Sequence, residues 1–178
     1  AGSSGGTASG TAASFGVAGM GADTGNSIRG PSSHLALFGI RSTMGLTSRD
    51  GVIPLIGDRD IAGPMTRTVR DGAKLFNVVA GYDPKDPMTE LGKGKRKKDY
   101  TVYLEKNALK GKRIGVLRSL AFTKDADPAI TALFIHAVED LKAAGAIIVD
   151  PFQIDNFAMH REANNSCSRF RYDMYMYL

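Results

Sequence analysis

The stretch GKRIGVLRSLAFTKDADPAITALFIHAVEDLKAAGAIIVD, residues 111–150, decides the fold class. GKRIGVL (111–117) reads as a strand. From Asp127 onward the pattern turns helical, with Ile130, Leu133, Phe134, Ala137, Val138 and Leu141 forming one apolar stripe. Asp127 caps this helix, Pro128 occupies its first turn, where a missing N–H costs nothing, and Gly145 stops it before the strand AIIVD (146–150). A strand–helix–strand unit of ~30 residues or more closes as a right-handed parallel crossover. The expectation is an α/β fold with a mixed, largely parallel sheet core flanked by helices.

Upstream, TRTVRDGAKLFNVVAG carries Val69, Ala73, Phe76 and Ala80 at helical spacing, with a capping box at Thr68 and Asp71 and Gly81 to close the end. The segment IRSTMGLTSRDGVIPLI, broken by Gly45, Gly51 and Pro54, reads as short strands and loops. Residues 5–15, GGTASGTAASF, suit a closely packed small-residue helix. GVAGMGAD suits a buried strand, and Pro31 and Gly39 bracket a helix over SSHLALF. No internal repeat or second domain is visible.

Composition narrows the class. Of 178 residues 43% are hydrophobic and 23% charged, enough for a sizeable core in a soluble globular protein. The single cysteine, Cys167, cannot pair within the chain, which points to a reducing, cytoplasmic compartment. No apolar run approaches the ~20 residues of a membrane span. The net charge of +5 is concentrated in KGKRKKD (93–99), which lacks interleaved aromatics and reads as a solvated loop, so neither nucleic acid nor membrane is an expected partner. AGSSGG at the start and RFRYDMYMYL at the end both read as interrupted, as in a piece of a longer protein.

The chemistry concentrates in MGADTGNSIRGPSSH, residues 20–34. A Gly/Asn turn between a strand and a helix presents successive backbone N–H groups, which stabilise negative charge. A serine beside such donors, here Ser27, suits attack on a carbonyl with the oxyanion held by those N–H groups. The same residues also make a plain Gly/Asn turn with a helix-capping serine. Asp23 and Arg29 flank the turn and read first as a structural ion pair. A Ser-His-Asp arrangement would need His34, His136 or His160; His136 reads as a core-edge residue of its helix, and His34 has no partner signature.

A second loop bears on the choice. SSGG at 3–6 lies one small-residue segment and one strand upstream of Ser27. AGSSGGTASGTAA followed by GADTGNSIRGPSS resembles the amidase signature family, whose members carry GGSSGG and then D-T-G-G-S-I-R-x-P. The resemblance runs through FGIRSTMGLTSRDGVIPL and DRDIAGPMTRTVRDGAKLFNVVAGYDPKDP to about residue 150. It implies a Ser-cisSer-Lys triad with Ser27 as nucleophile and Ser3 as the cis-serine relay. Ser4 is then a supporting hydrogen-bonding residue, and the N–H groups of Thr24, Gly25, Asn26 and Ser27 form the oxyanion hole. The family's lysine precedes the serine loop. Lys74 and Lys85 lie downstream of it, so the catalytic lysine is expected outside these residues, and the 178-residue chain alone is expected to be inactive.

Asn26 replaces the second glycine of DTGGS, a change tolerable to a left-handed backbone, and Ala1 replaces the first glycine of GGSSGG. The resemblance implies that residues 1–178 are part of one catalytic domain. That domain would cleave a small or peptide amide to carboxylate and ammonia or amine through an acyl-enzyme, with no metal or organic cofactor. Two alternatives stand beside it: the amidase subunit of a tRNA-dependent amidotransferase, and a non-catalytic amidase-fold scaffold. The expected partners are the amide substrate and either the rest of the same domain or a second copy. The stretch 157–178, with Phe170, Tyr172 and Tyr175, supplies either pocket walls or ordinary packing.

Overall fold

The structure is a computed structural model that describes residues 2–162 and 169–178; Ala1 and Cys167 lie outside the described residues. In chain order the elements are α1 (Gly5–Ala12), β1 (Ala18–Asp23), α2 (Arg29–His34), β2 (Phe38–Gly39), β3 (Ile61–Thr66), α3 (Val69–Val79), β4 (Arg113–Gly115), α4 (Arg118–Ala121), α5 (Pro128–Ala143), β5 (Ile147–Val149), α6 (Phe157–Glu162) and α7 (Phe170–Tyr177). They fall into two compact units: residues up to 102 together with 169–178, and residues 103–162.

In the first unit β3 lies between β1 and β2 and pairs antiparallel with both. Among the described residues parallel pairing is confined to β4 and β5 of the second unit, so the α/β expectation holds while the larger sheet is not the parallel one expected.

The central strand IAGPMT escapes a sequence reading because Pro64 breaks its pattern. Pro64 O accepts the Ile40 N–H at 3.0 Å. Its donor-less nitrogen therefore faces the same side, beyond the end of β2, where the ladder requires no donor. Gly39 likewise sits in a strand, and α2 ends five residues earlier.

The core of this unit joins Ala8 of α1, Ile28 beside the Gly/Asn turn and Met65 of β3, all fully buried, with Leu37 packed against them. The capping box of α3 forms as expected: Asp71 N–H donates to Thr68 Oγ1 at 3.1 Å, and Thr68 Oγ1 to the Asp71 carboxylate at 2.7 Å. Ala73, Phe76 and Ala80 are buried and Val69 is exposed. Asp83, Asp86, Asp99 and Arg49 knit the loops around α3, and the basic run 93–99 is mostly solvent-facing.

In the second unit β4 and β5 pair parallel across α5, the expected βαβ unit. Asp127 caps α5 by accepting the Ala129 N–H at 2.8 Å, and Gly145 (φ +91°) ends it. The apolar stripe of α5 is exposed, with Ile130 at 64% and Leu133 at 66%, because two three-residue strands are too narrow to cover it. His136 is exposed rather than at a core edge.

Two substitutions probe the first unit's core. Met65→Ala is expected to cost about 2–5 kcal/mol, the range for emptying a filled core site. Among the described residues Ser32 Oγ is buried without a hydrogen-bond partner, so Ser32→Ala is expected to stabilise by about 1 kcal/mol. Urea unfolding of both variants checks the signs; a destabilised Ser32→Ala would contradict this account of its hydroxyl.

Candidate active site

The Gly/Asn turn is built on one buried carboxylate. Asp23, the last residue of β1, is fully buried. Its Oδ2 accepts the N–H groups of Ile28 (3.0 Å) and Arg29 (3.2 Å) and Arg29 Nε (3.2 Å). Its Oδ1 accepts Arg29 Nη2 and Arg41 Nη1, each at 3.2 Å. Arg29 also donates to Gly25 O, and Arg41 to the Asp23 carbonyl and, at 2.9 Å, to Arg59 O.

Burial pushes the Asp23 carboxyl up, but the hydrogen bonds from the Arg29 side chain and the Ile28 and Arg29 N–H groups outweigh it. The carboxyl is held below its ordinary value of 3.8. Asp23 and Arg29 thus form the ion pair read from the sequence. Arg41 joins it from 18 residues away, a partner that only the folded register reveals.

Asp23 also decides which donors remain. It occupies the N–H groups of Ile28 and Arg29, whereas Asn26 O and Ser27 O accept the Gly30 N–H (2.8 Å) and the Ser4 N–H (3.2 Å). Among the described residues no acceptor takes the N–H of Gly25 or Ser27. Gly25 and Asn26 are exposed and Ser27 half-buried. Asn26 is not left-handed, so the turn requires no glycine conformation there and survives the departure from DTGGS, as expected.

The glycine-serine loop docks on the same turn. A Cβ on Gly2 would stand 3.0 Å from Ser27 Cα and 2.9 Å from Pro31 Cδ, so only glycine permits this approach. The Ser4 hydroxyl is bracketed by Ala22, accepting its N–H and donating to its carbonyl, both at 3.2 Å. Gly21 leaves room for it, since a Cβ there would lie 2.7 Å from Ser4 Oγ.

Ser3 is exposed and lines a cleft of about 600 Å³ with Thr7, Met20, Thr47 and Val79; Ser27 is not part of that lining. No hydrogen bond joins the Ser3 and Ser27 hydroxyls among the described residues. The Gly2–Ser3 peptide is trans, correcting the cis bond expected of Ser3: the only cis bond among the described residues is Asp150–Pro151. Gly2 stands at φ +146°, a conformation open mainly to glycine.

The remaining candidates lie elsewhere. Lys74 and His34 are exposed, and Lys85 pairs with Asp50 at 3.7 Å. Tyr172 and Tyr175 are exposed on α7, which is held to the first unit by Asp173 accepting the Gly57 N–H at 2.9 Å. Among the described residues no group of three His, Cys, Asp or Glu side chains could hold a metal, and no helix is long and apolar enough to cross a membrane.

The family model described as Amidase matches residues 1–170. The chain belongs to the amidase family. It is 39% identical over 176 residues to one component of a glutamyl-tRNA(Gln) amidotransferase from Microcystis aeruginosa, covering 99% of this chain and 32% of that protein. An amidase family protein from Bacillus anthracis str. Ames superposes with a TM-score of 0.79 at 43% identity, over 88% of this chain and 30% of the other. The native peptide amidase from Stenotrophomonas maltophilia superposes with a TM-score of 0.84 at 34% identity, over 99% and 36%. The chain thus spans about a third of the length of these amidase-family relatives.

The Asp23 network carries a pH signature. Because its folded value is depressed, its contribution is fully present above the unfolded value near 3.8 and is lost as pH falls through the folded value. Asp23→Asn is expected to cost about 3 kcal/mol at pH 7, the scale for breaking a buried pair. The gap to the parent protein should narrow below pH 4. Urea unfolding at pH 7, 5 and 3 measures it, and a gap independent of pH would contradict the assignment.

Proposed function

We propose that the protein to which this chain belongs is an amide hydrolase that works through an acyl-enzyme on Ser27. One observation carries the reading: Asp23 binds the two N–H groups after Ser27, and among the described residues those of Gly25 and Ser27 have no protein acceptor, in a turn where the glycine-serine loop meets the Ser27 backbone. Donors fixed before the reaction cost no reorganisation when charge develops.

In this mechanism Ser27 Oγ attacks the amide carbon while its proton passes through the Ser3 hydroxyl to a neutral lysine outside these residues. The carbonyl electrons move to oxygen, and the oxyanion is held by the N–H groups of the turn at Thr24, Gly25, Asn26 and Ser27. As the tetrahedral intermediate collapses the C–N bond breaks and the leaving nitrogen takes the proton back. Water then attacks the ester, releasing the acid and restoring Ser27.

The substrate class is a small or peptide carboxylic amide, in line with the peptide amidase relative, and the single cysteine favours a cytoplasmic setting. A second reading is supported by the Microcystis relative, which matches 99% of the chain: the amidase component of an amidotransferase, whose released ammonia passes to a partner protein. Free ammonia released without any partner separates the first reading from the second.

Ser27 should be the residue that a fluorophosphonate labels in the full-length enzyme, located by peptide mapping. Ser27→Ala is expected to lower kcat by ~10⁴-fold or more, because such residues act as a unit. An adduct on another residue, or normal turnover by Ser27→Ala, would overturn the assignment.

A further inference from the structure

We infer that Asp60 is a positioning residue for acyl transfer at Ser27, acting through the Thr24 hydroxyl; the inference rests on Ser27 being the nucleophile. The backbone ladder between β1 and β3 runs down to Asp23 opposite Ile61. The next pair in that register is Thr24 opposite Asp60, and there side chains take over: Thr24 Oγ1 donates to Asp60 Oδ1. The tie stands where the chain leaves the sheet to make the turn.

Asp60 is built to hold that tie. It is 4% exposed, and its second oxygen accepts the N–H groups of Leu55 (2.7 Å) and Ile56 (3.0 Å). The carboxylate is fixed from behind by the 55–56 loop and offers its other oxygen to the turn. Arg41 makes a parallel link one residue away, donating to the Asp23 carbonyl on one side and to Arg59 O at 2.9 Å on the other.

Further along, the turn is fixed at Asn26 O by the Gly30 N–H and at Ser27 O by the Ser4 N–H, which leaves its first half to side-chain ties. Gly25 is exposed, and the space where its Cβ would stand is empty to 4 Å. Arg29 holds the turn at Gly25 O and Asp60 holds it at Thr24. Asp60 bonds Thr24 and not Ser27, so its effect falls on where the N–H groups of the turn point. Displacements of ~1 Å at a reacting centre cost up to ~100-fold in rate.

The experiment uses the full-length enzyme with a primary amide as substrate, ammonia release as readout, and fluorophosphonate labelling of Ser27 in parallel. Thr24→Val keeps the shape and removes the donor. It should lower kcat roughly 10- to 100-fold with KM within about twofold. Thr24→Ser, which restores the hydroxyl, should recover most of the lost kcat, and Asp60→Ala, which removes any partner for that hydroxyl, should lose kcat at least as far as Thr24→Val does. The inference is overturned by a Thr24→Val kcat within twofold of the parent, by a rise in KM alone, or by Thr24→Ser falling as far as Thr24→Val, since that would mark the methyl group and not the hydroxyl. Labelling separates the two claims. An unlabelled Ser27 in the parent enzyme removes the nucleophile reading and this inference together, whereas a labelled Ser27 with full kcat in Thr24→Val removes the inference alone.

Discussion

The Asp23 carboxylate, buried at the end of β1, is the constraint on which the candidate site depends. A charge removed from water is tolerated only when its oxygens are met by strong donors. Here two guanidinium groups and two backbone N–H groups meet them. Satisfying that charge forces the chain to turn back within five residues, so that Ile28 and Arg29 present their N–H groups to the side chain that precedes them. Ser27 is the residue left at the rim of that turn.

Other parts of the first unit serve the same geometry. Ile28 drops into the core with Ala8 and Met65, which anchors the inner side of the turn by apolar packing. Gly2 and Gly21 are absences of side chain that let the glycine-serine loop reach the Ser27 backbone and Ser4 reach Ala22. The outer pairs add less. Arg29 is half exposed, so its bond to the exposed Gly25 carbonyl is worth less than its bonds to the buried Asp23 carboxylate.

Much of this is legible in the amino-acid order. The βαβ unit over 111–150 and the capping box at Thr68 follow from local rules, because capping and helical spacing act within one or two turns of chain. The Asp23–Arg29 pair, six residues apart, is equally accessible. Arg41 and Asp60 are not, since their roles depend on a strand register set by β3, and Pro64 conceals β3 by breaking the strand pattern. The stripe of α5 is helical as its spacing implies but uncovered, because periodicity reports which face is apolar and says nothing of what lies against it. The trans bond before Ser3 is encoded by no local pattern, since a peptide's isomer depends on what the folded loop packs against.

The central claim is that the turn at 24–27 is an oxyanion site prepared in advance by Asp23. The most direct measurement is a crystal structure of the full-length enzyme carrying a phosphonate adduct. The account predicts a covalent bond from Ser27 Oγ to phosphorus, with one phosphonate oxygen about 2.7–3.1 Å from the turn's N–H groups and the Asp23 contacts unchanged. An adduct on Ser27 whose oxygens all face solvent, or a turn that must break the Asp23 bonds to reach them, would contradict it.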